Sequence, residues 1–439
     1  MPADISGKDA VTRALTVYND GFALVKEERT LPSFPEDGVL RYLDVAQRIE
    51  TESILVEGVR IRELNYEYDL VDKNKLLEKY IGRELSIVDR ETGKARRFRL
   101  LSAQNGIVGE DVETGEIVLD PEGEIRLPEL PGGLILRPAL IWFASPEENG
   151  DGRVRVSYLT GGISWETDYV IGLPAETGGE EEFRLTGWMT LRNESGMTFE
   201  NAKLRVIAGT VNRASSPFDA RIIPEQVLYS QAMPEHESFA DYHMYTVPQP
   251  VTVKDRQQKQ IKLLEADEAK GRIVYEATYH DRKPSVFLEF RNSAESGLGF
   301  PLPKGRVKMY RENPSDGTSE FIGEDRIGHT AKDENIRLLI GEAFDVTIDS
   351  GRADTEKTGR YEDETYVYEI RNAKETGVDV LIRHAVQDRH WEILDSNFPA
   401  ERRFNEVRIR AHAKAGEETV VLFTLRFDRS VTVTKADEE

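Results

Sequence analysis

The sequence predicts an all-β protein: immunoglobulin-like β-sandwiches in series, with a small SH3-like or Sm-like barrel inserted near the N-terminus. Three observations predict it. Short stretches rich in β-branched and aromatic residues alternate apolar and polar side chains from Leu15 to Phe427, the period of a half-buried strand. Clusters of Gly, Asn, Asp and Pro separate those stretches, as turns should. Three strands end in the same dipeptide, Arg192-Asn193, Arg291-Asn292 and Arg371-Asn372. The intervals are 99 residues (193 to 292) and 80 residues (292 to 372), the length of one sandwich domain.

The 439 residues exceed what one hydrophobic core can serve, and about three domains is the expectation. Eighty acidic side chains against 58 basic ones give a net charge of −22. Such a field repels phosphate backbones and anionic lipid, which argues against nucleic-acid binding. No cysteine is present, which removes disulfides, thiol catalysis, cysteine zinc sites and iron–sulfur ligation. The first residues, MPADISGKDAVTRALTVYNDG, contain no apolar core of a signal peptide, and no run of about 18 apolar residues follows. The expectation is therefore no signal peptide in this chain and no membrane insertion: either the protein is cytoplasmic or a leader has been removed.

In chain order, Leu15–Leu31 reads as a hairpin turning at Asn19-Asp20-Gly21. VLRYLDV, SILVEGVRI and LNYEYDLV continue in β pattern. One helix follows, with Asp72 as N-cap, Leu76, Leu77 and Tyr80 on one face, and Gly82 just past its end. Five short strands come next, from ELSIVD to EIRLPEL, and suggest the inserted barrel. Arg97 and Arg99 alternate there with Phe98 and Leu100, as on the wet face of any strand. Longer strands resume at Arg137. In WMTLRN, Trp188, Thr190 and Arg192 share one face, with Met189, Leu191 and Asn193 on the other. Thr210–Tyr242 is rich in Ser and Pro and reads as a long loop. Asp349–Asp363 is polar and reads as a loop or boundary. The division that results is 1–69 pairing with 132–265 as a first sandwich, 70–131 as the inserted barrel, 266–350 as a second sandwich and 351–439 as a C-terminal immunoglobulin-like sandwich.

Each Arg-Asn dipeptide precedes a polar turn with Gly196, Gly297 or Gly377 and then another strand. Asn and Gly tolerate left-handed backbone at a hairpin corner, and the Asn amide can satisfy nearby backbone groups, so turn chemistry accounts for the repeat.

Recognisable catalytic chemistry is absent. There is no GxGxxG, Walker A, GxSxG, HExxH or EF-hand loop. His384 and His390 flank Asp388 and would meet at a metal only if their hairpin brought them together. Acid pairs such as Glu324-Asp325 are inevitable among 80 carboxylates. Asn193-Glu194-Ser195 has the form of a glycosylation sequon. Trp165, Tyr169 and Trp188 are the candidate binding residues, a stacking platform for sugar or peptide, although sandwich tryptophans more often belong to the core. No catalytic residue, metal site or cofactor is expected.

VYNDGFALV, YLTGGISWETDYV, LTGWMTLRNESGMTFENAKLRVIAG and FIGEDRIGHT resemble a bacterial family of unknown function. Its domain forms the C-terminal part of mucoidy-inhibitor-type proteins and of shorter stand-alone proteins. The resemblance spans about Leu15 to Phe427. It implies no catalytic residues, since the family has none assigned, and export to the cell envelope. The functional expectation is a non-enzymatic binding or scaffold protein with a protein partner or self-association through β edges. The alternative is a carboxylate-based carbohydrate-active or hydrolytic enzyme at a domain cleft.

Overall fold

A computed structural model describes residues 2–67, 73–90, 92–104, 106–129, 138–147, 151–175, 180–209, 211, 235–239, 242–388 and 390–430. Among them are 31 strands, one α-helix and three short 3-10 turns, so the chain is all-β. The strands form five sheets, and no sheet closes into a barrel among the described residues.

The alternation read from the sequence becomes a two-sided burial pattern. Leu15, Val17, Ala23 and Val25 face inward from the hairpin of Ala10–Tyr18 and Phe22–Thr30, with Gly21 at φ +81° in its turn. Ile163, Trp165, Tyr169, Ile171, Met189 and Leu191 face them from Ile163–Leu173 and Glu180–Asn193. These two groups belong to an eight-stranded and a ten-stranded sheet, and together they make the largest core. A four-stranded sheet (Ala3–Ile5, Val39–Leu43, Ala139–Pro146, Val59–Glu67) adds Tyr42, Leu140 and Trp142 to it. Burial of this apolar surface is the main stabilising term.

Buried charge also joins these layers. Glu27 and Arg29 point inward from their strand and are 3 % and 0 % exposed. Glu27 is bonded by both Arg13 and Arg29, and the Tyr42 hydroxyl donates to it at 3.0 Å. The Arg29 guanidinium lies 3.8 Å from the centre of the Tyr42 ring and donates to the carbonyls of Ile5, Leu43 and Asp44. One arginine thus ties Ala3–Ile5 and Val39–Leu43 to the eight-stranded sheet.

The helix Lys73–Lys79 buries Leu77, and Tyr80 follows it into a separate core with Leu85, Ile87, Phe98 and Leu100. Gly82, at φ +81°, donates to the Leu100 carbonyl at 2.7 Å and turns the chain into the first strand. Asp72 lies outside the described residues. Five antiparallel strands between Glu84 and Arg126 form an open sheet over this core. Arg97 and Arg99 are on its wet face, beside Glu84 and Glu110.

The ten-stranded sheet is organised around Gln257–Thr278, a strand of 22 residues. Its Gln257–Arg272 stretch pairs antiparallel with Glu180–Asn193, and its last residues pair parallel with Val378–Ala385. Ser285–Arg291 pairs with its Gly271–Glu276 segment. The inward residues Tyr275, Ala277, Val380, Ile382, Val407 and Ile409 then meet Ile348, Tyr368, Ile370, Val421, Phe423 and Leu425 of a C-terminal four-stranded sheet, forming the second large core. The expected divisions at 265/266 and 350/351 fall inside the strands Gln257–Thr278 and Val346–Thr358.

Two readings need correction. Asp349–Asp363 is not a loop: Val346–Thr358 and Tyr361–Asn372 form one long hairpin turning at Gly359 (φ +61°). Residues 352–358 are exposed, so no apolar face marks them. Backbone pairing and cross-strand ion pairs, Arg352–Glu364 and Lys357–Glu362 at 3.0 Å each, hold them instead. Most of Thr210–Tyr242 lies outside the described residues.

The Arg-Asn corners are not hairpins either. Glu180–Asn193 and Phe199–Ala208 belong to different sheets, as do Tyr361–Asn372 and Val378–Ala385. Each Asn is buried, 1 %, 0 % and 2 % exposed for Asn193, Asn292 and Asn372. Its amide works on both sides of the corner. Asn372 Nδ2 donates to the carbonyls of Thr376, Ala413 and Lys414, while its Oδ1 accepts from Lys374 N–H. Asn193 donates to Met197 and Val253, and Asn292 to Phe300 and Ala331. Left-handed backbone is found at Gly196 and Gly297, not at the Asn residues. Where the ladder ends, the amide replaces it. Asn372→Ala strands those carbonyls and is expected to cost about 2–3 kcal/mol. A urea midpoint within error of wild type would contradict this.

Candidate functional site

The sequence-level aromatics do not form one surface. Trp165 is 3 % exposed, donates its indole N–H to the Ile207 carbonyl at 3.1 Å and packs on Tyr245. Tyr169 is equally buried, and its hydroxyl donates to the Pro303 carbonyl at 2.8 Å. Burial pushes this phenol well above its usual range. Trp188 is half-buried, opposite Asp168 on the outer face of the same strand pair. Trp165 and Tyr169 therefore share the core, and Trp188 faces away from them.

The histidines likewise stay apart. His384 is 4 % exposed, 2.9 Å from the Tyr368 hydroxyl through Nδ1. The backbone N–H of His390 donates to Asp388, whose carboxylate also takes Arg429. Among the described residues no group of three or more His, Asp or Glu is placed to hold a metal. Asp325 accepts the Leu339 N–H on an outer strand. Asn193 is too buried and too fully bonded to present itself as a sequon.

The structure instead places a cleft of about 1000 Å³ where the two large sandwiches share Gln257–Thr278. Its floor is Gly271–Tyr275. One side carries Glu289, Arg291 and Arg337, and the other carries Asp379, Arg410 and His412. Two of the Asn corners flank it: Ser296 lies in the turn after Asn292, and Thr376 and Gly377 in the turn after Asn372. Because Asn372 binds both Thr376 and Ala413, it sets the turn and the end of the His412 strand together.

Most charges in the cleft are paired. Arg272 lies 3.0 Å from Glu289. Arg337 Nε is 3.2 Å from the same carboxylate, too bent for a hydrogen bond, and its guanidinium stacks 3.6 Å from the Phe287 ring centre. Glu181, 2 % exposed, is held by both Nη atoms of Arg311. Asp379 meets His412 Nδ1 at 2.7 Å. Gly377 lies against the His412 ring: a Cβ there would sit 2.7 Å from Nε2 and make that side chain shift. Beyond the cleft the pairing runs on through Glu276, which takes Arg337 and Arg383, to Glu406 and Arg408. This outer-face network crosses from one sandwich to the other.

Arg291 and Gly377 carried the legible signal, as parts of the Arg-Asn repeat and its turns. The remaining lining residues sit at unrelated positions on six strands and their turns, with no spacing to betray them. No protein-family model and no curated protein matches the chain.

Proposed function

We propose that the protein is a non-enzymatic binding protein whose ligand site is the cleft between the two large sandwiches. The observation that carries the reading is the lining. Five basic residues (Lys270, Arg272, Arg291, Arg337, Arg410) gather in one concavity of a chain with net charge −22. Their carboxylates are mostly neutralised, and rigid strands and Asn-tied corners hold the walls. Preorganised polar groups in a concave site are what recognition requires. In this reading the large sandwiches are immunoglobulin-like scaffolds, and the five-stranded unit after the helix is an SH3-like module. The family resemblance adds the cell envelope as the place of action.

The hydrolytic alternative needs a free carboxyl facing a second across the cleft. Glu180 is free, but the other lining carboxylates, Glu181, Glu289 and Asp379, each meet a cation or a histidine, so no second free acid faces it among the described residues, which favours binding.

The chain lacks cysteine, so Thr376→Cys provides a single thiol at the cleft wall. A random dodecapeptide display library is panned on the full chain with this thiol free or capped by a bulky maleimide. Enrichment that capping abolishes is the expected result. Enrichment indifferent to the cap, or none at all, would sink the reading.

A further inference from the structure

We infer that the cleft takes an extended polypeptide segment of mixed charge, with a basic side chain against Glu180 and an acidic one against Arg410. The inference rests on the cleft being the binding site. Of the charged residues lining it, Glu181, Glu289, Lys270, Arg272, Arg337 and Asp379 have ionic or histidine partners. Arg291 gives its Nε to the Asp333 carbonyl. Among the described residues Glu180 and Arg410 have no side-chain partner, and both are exposed. They come from different sandwiches: Glu180 opens Glu180–Asn193, and Arg410 lies on Glu406–Ala413. The cleft thus presents one carboxylate, Glu180, and two cations, Arg410 and Arg291, without an ionic partner among the described residues.

That pattern selects the ligand class. A polyanion would meet Glu180, whose carboxylate has no partner among the described residues, within the same lining. A purely basic segment would meet five cations there. A polypeptide supplies both signs at separate positions. A cleft of about 1000 Å³ holds several residues rather than one. Arg291, without a carboxylate partner, biases the segment toward net acidity.

The test repeats the dodecapeptide selection on the full chain, on Arg410→Glu and on the double variant Glu180→Lys/Arg410→Glu. Both positions are exposed and unpaired, so the variants keep the fold. The wild-type chain is expected to enrich sequences with one acidic and one basic residue at fixed spacing. A peptide so selected should lose about tenfold in affinity on Arg410→Glu. The double variant should enrich the reversed order of charges. Enrichment that the Thr376 cap abolishes but that ignores both substitutions, or that carries one sign alone, overturns the ligand class and leaves the cleft standing. Enrichment insensitive to the cap overturns both. A dimer in light scattering that the charge reversals dissociate would give the cleft to a second copy of the chain and overturn the inference.

Discussion

Replacing Glu27 with alanine is expected to lower the unfolding free energy by about 3–5 kcal/mol, the largest effect of any single change considered. Among the described residues the carboxylate is the only counter-charge that Arg13 and Arg29 share, and all three side chains are 9 % exposed or less. Without it two guanidinium groups remain in a space with little water, where an unpaired charge is heavily penalised. Denaturation in urea measures the loss, and a change below about 1 kcal/mol would show that water reaches the cluster and screens it. The same group gives a pH dependence. Burial pushes the Glu27 carboxyl up, but Arg29 and Arg13 together outweigh burial and hold it below the ordinary carboxylate range. Its stabilisation is therefore complete above the unfolded value of about 4.3 and is lost as pH falls through the lower folded value. Glu27→Gln should flatten that acid limb.

His384 should make the second sandwich sensitive to milder acid. Burial, with a smaller contribution from His280, lowers its pKa to about 4. The ring is enclosed by Tyr279, Tyr366, Tyr368 and Phe423, with ring centroids 4.2 to 6.1 Å away. A histidine with a depressed folded pKa binds its proton more readily when unfolded, so stability falls as pH drops. The fall begins near the unfolded value of about 6.5 and ends near 4. Over that span of about 2.5 units, at about 1.36 kcal/mol each, the loss approaches about 3 kcal/mol. Hydrogen exchange in Tyr361–Asn372 and Val378–Ala385, corrected for intrinsic rates, should report it. His384→Gln should remove the slope while costing some stability at pH 7. A wild-type slope that survives the substitution would assign the effect to another group.

How much of this was legible depends on the range of the signal. The hairpin at Asn19-Gly21, the five short strands around Phe98 and the division of WMTLRN into two faces were all readable, because period-two alternation and turn chemistry are local; which of those faces is inward was not. The buried Asn corners were half legible. Their recurrence and their amide chemistry showed in the sequence. Where the chain goes next did not, because a hairpin, a crossing to another sheet (after Asn193 and Asn372) and a return to a distant strand of the same sheet (after Asn292) begin with the same turn residues. The exposed strand 352–358 was invisible for the opposite reason: with no buried face it carries no alternation.

The sequence by itself determined that this chain is all-β, where most strands begin and end, which faces are apolar, and that thiol chemistry is excluded. Only the tertiary structure decided which strands are neighbours. It paired Ala10–Tyr18 in parallel with Phe199–Ala208, and Gln257–Thr278 with Val378–Ala385. It thereby put Glu180, Arg291, Asp379 and Arg410 around one cleft. The physical reason is that alternation reports only how one strand sits between core and water. Partner choice and concavity come from contacts between residues far apart in the chain, and a charged residue at a strand end looks the same in sequence whether it faces open water or a cleft.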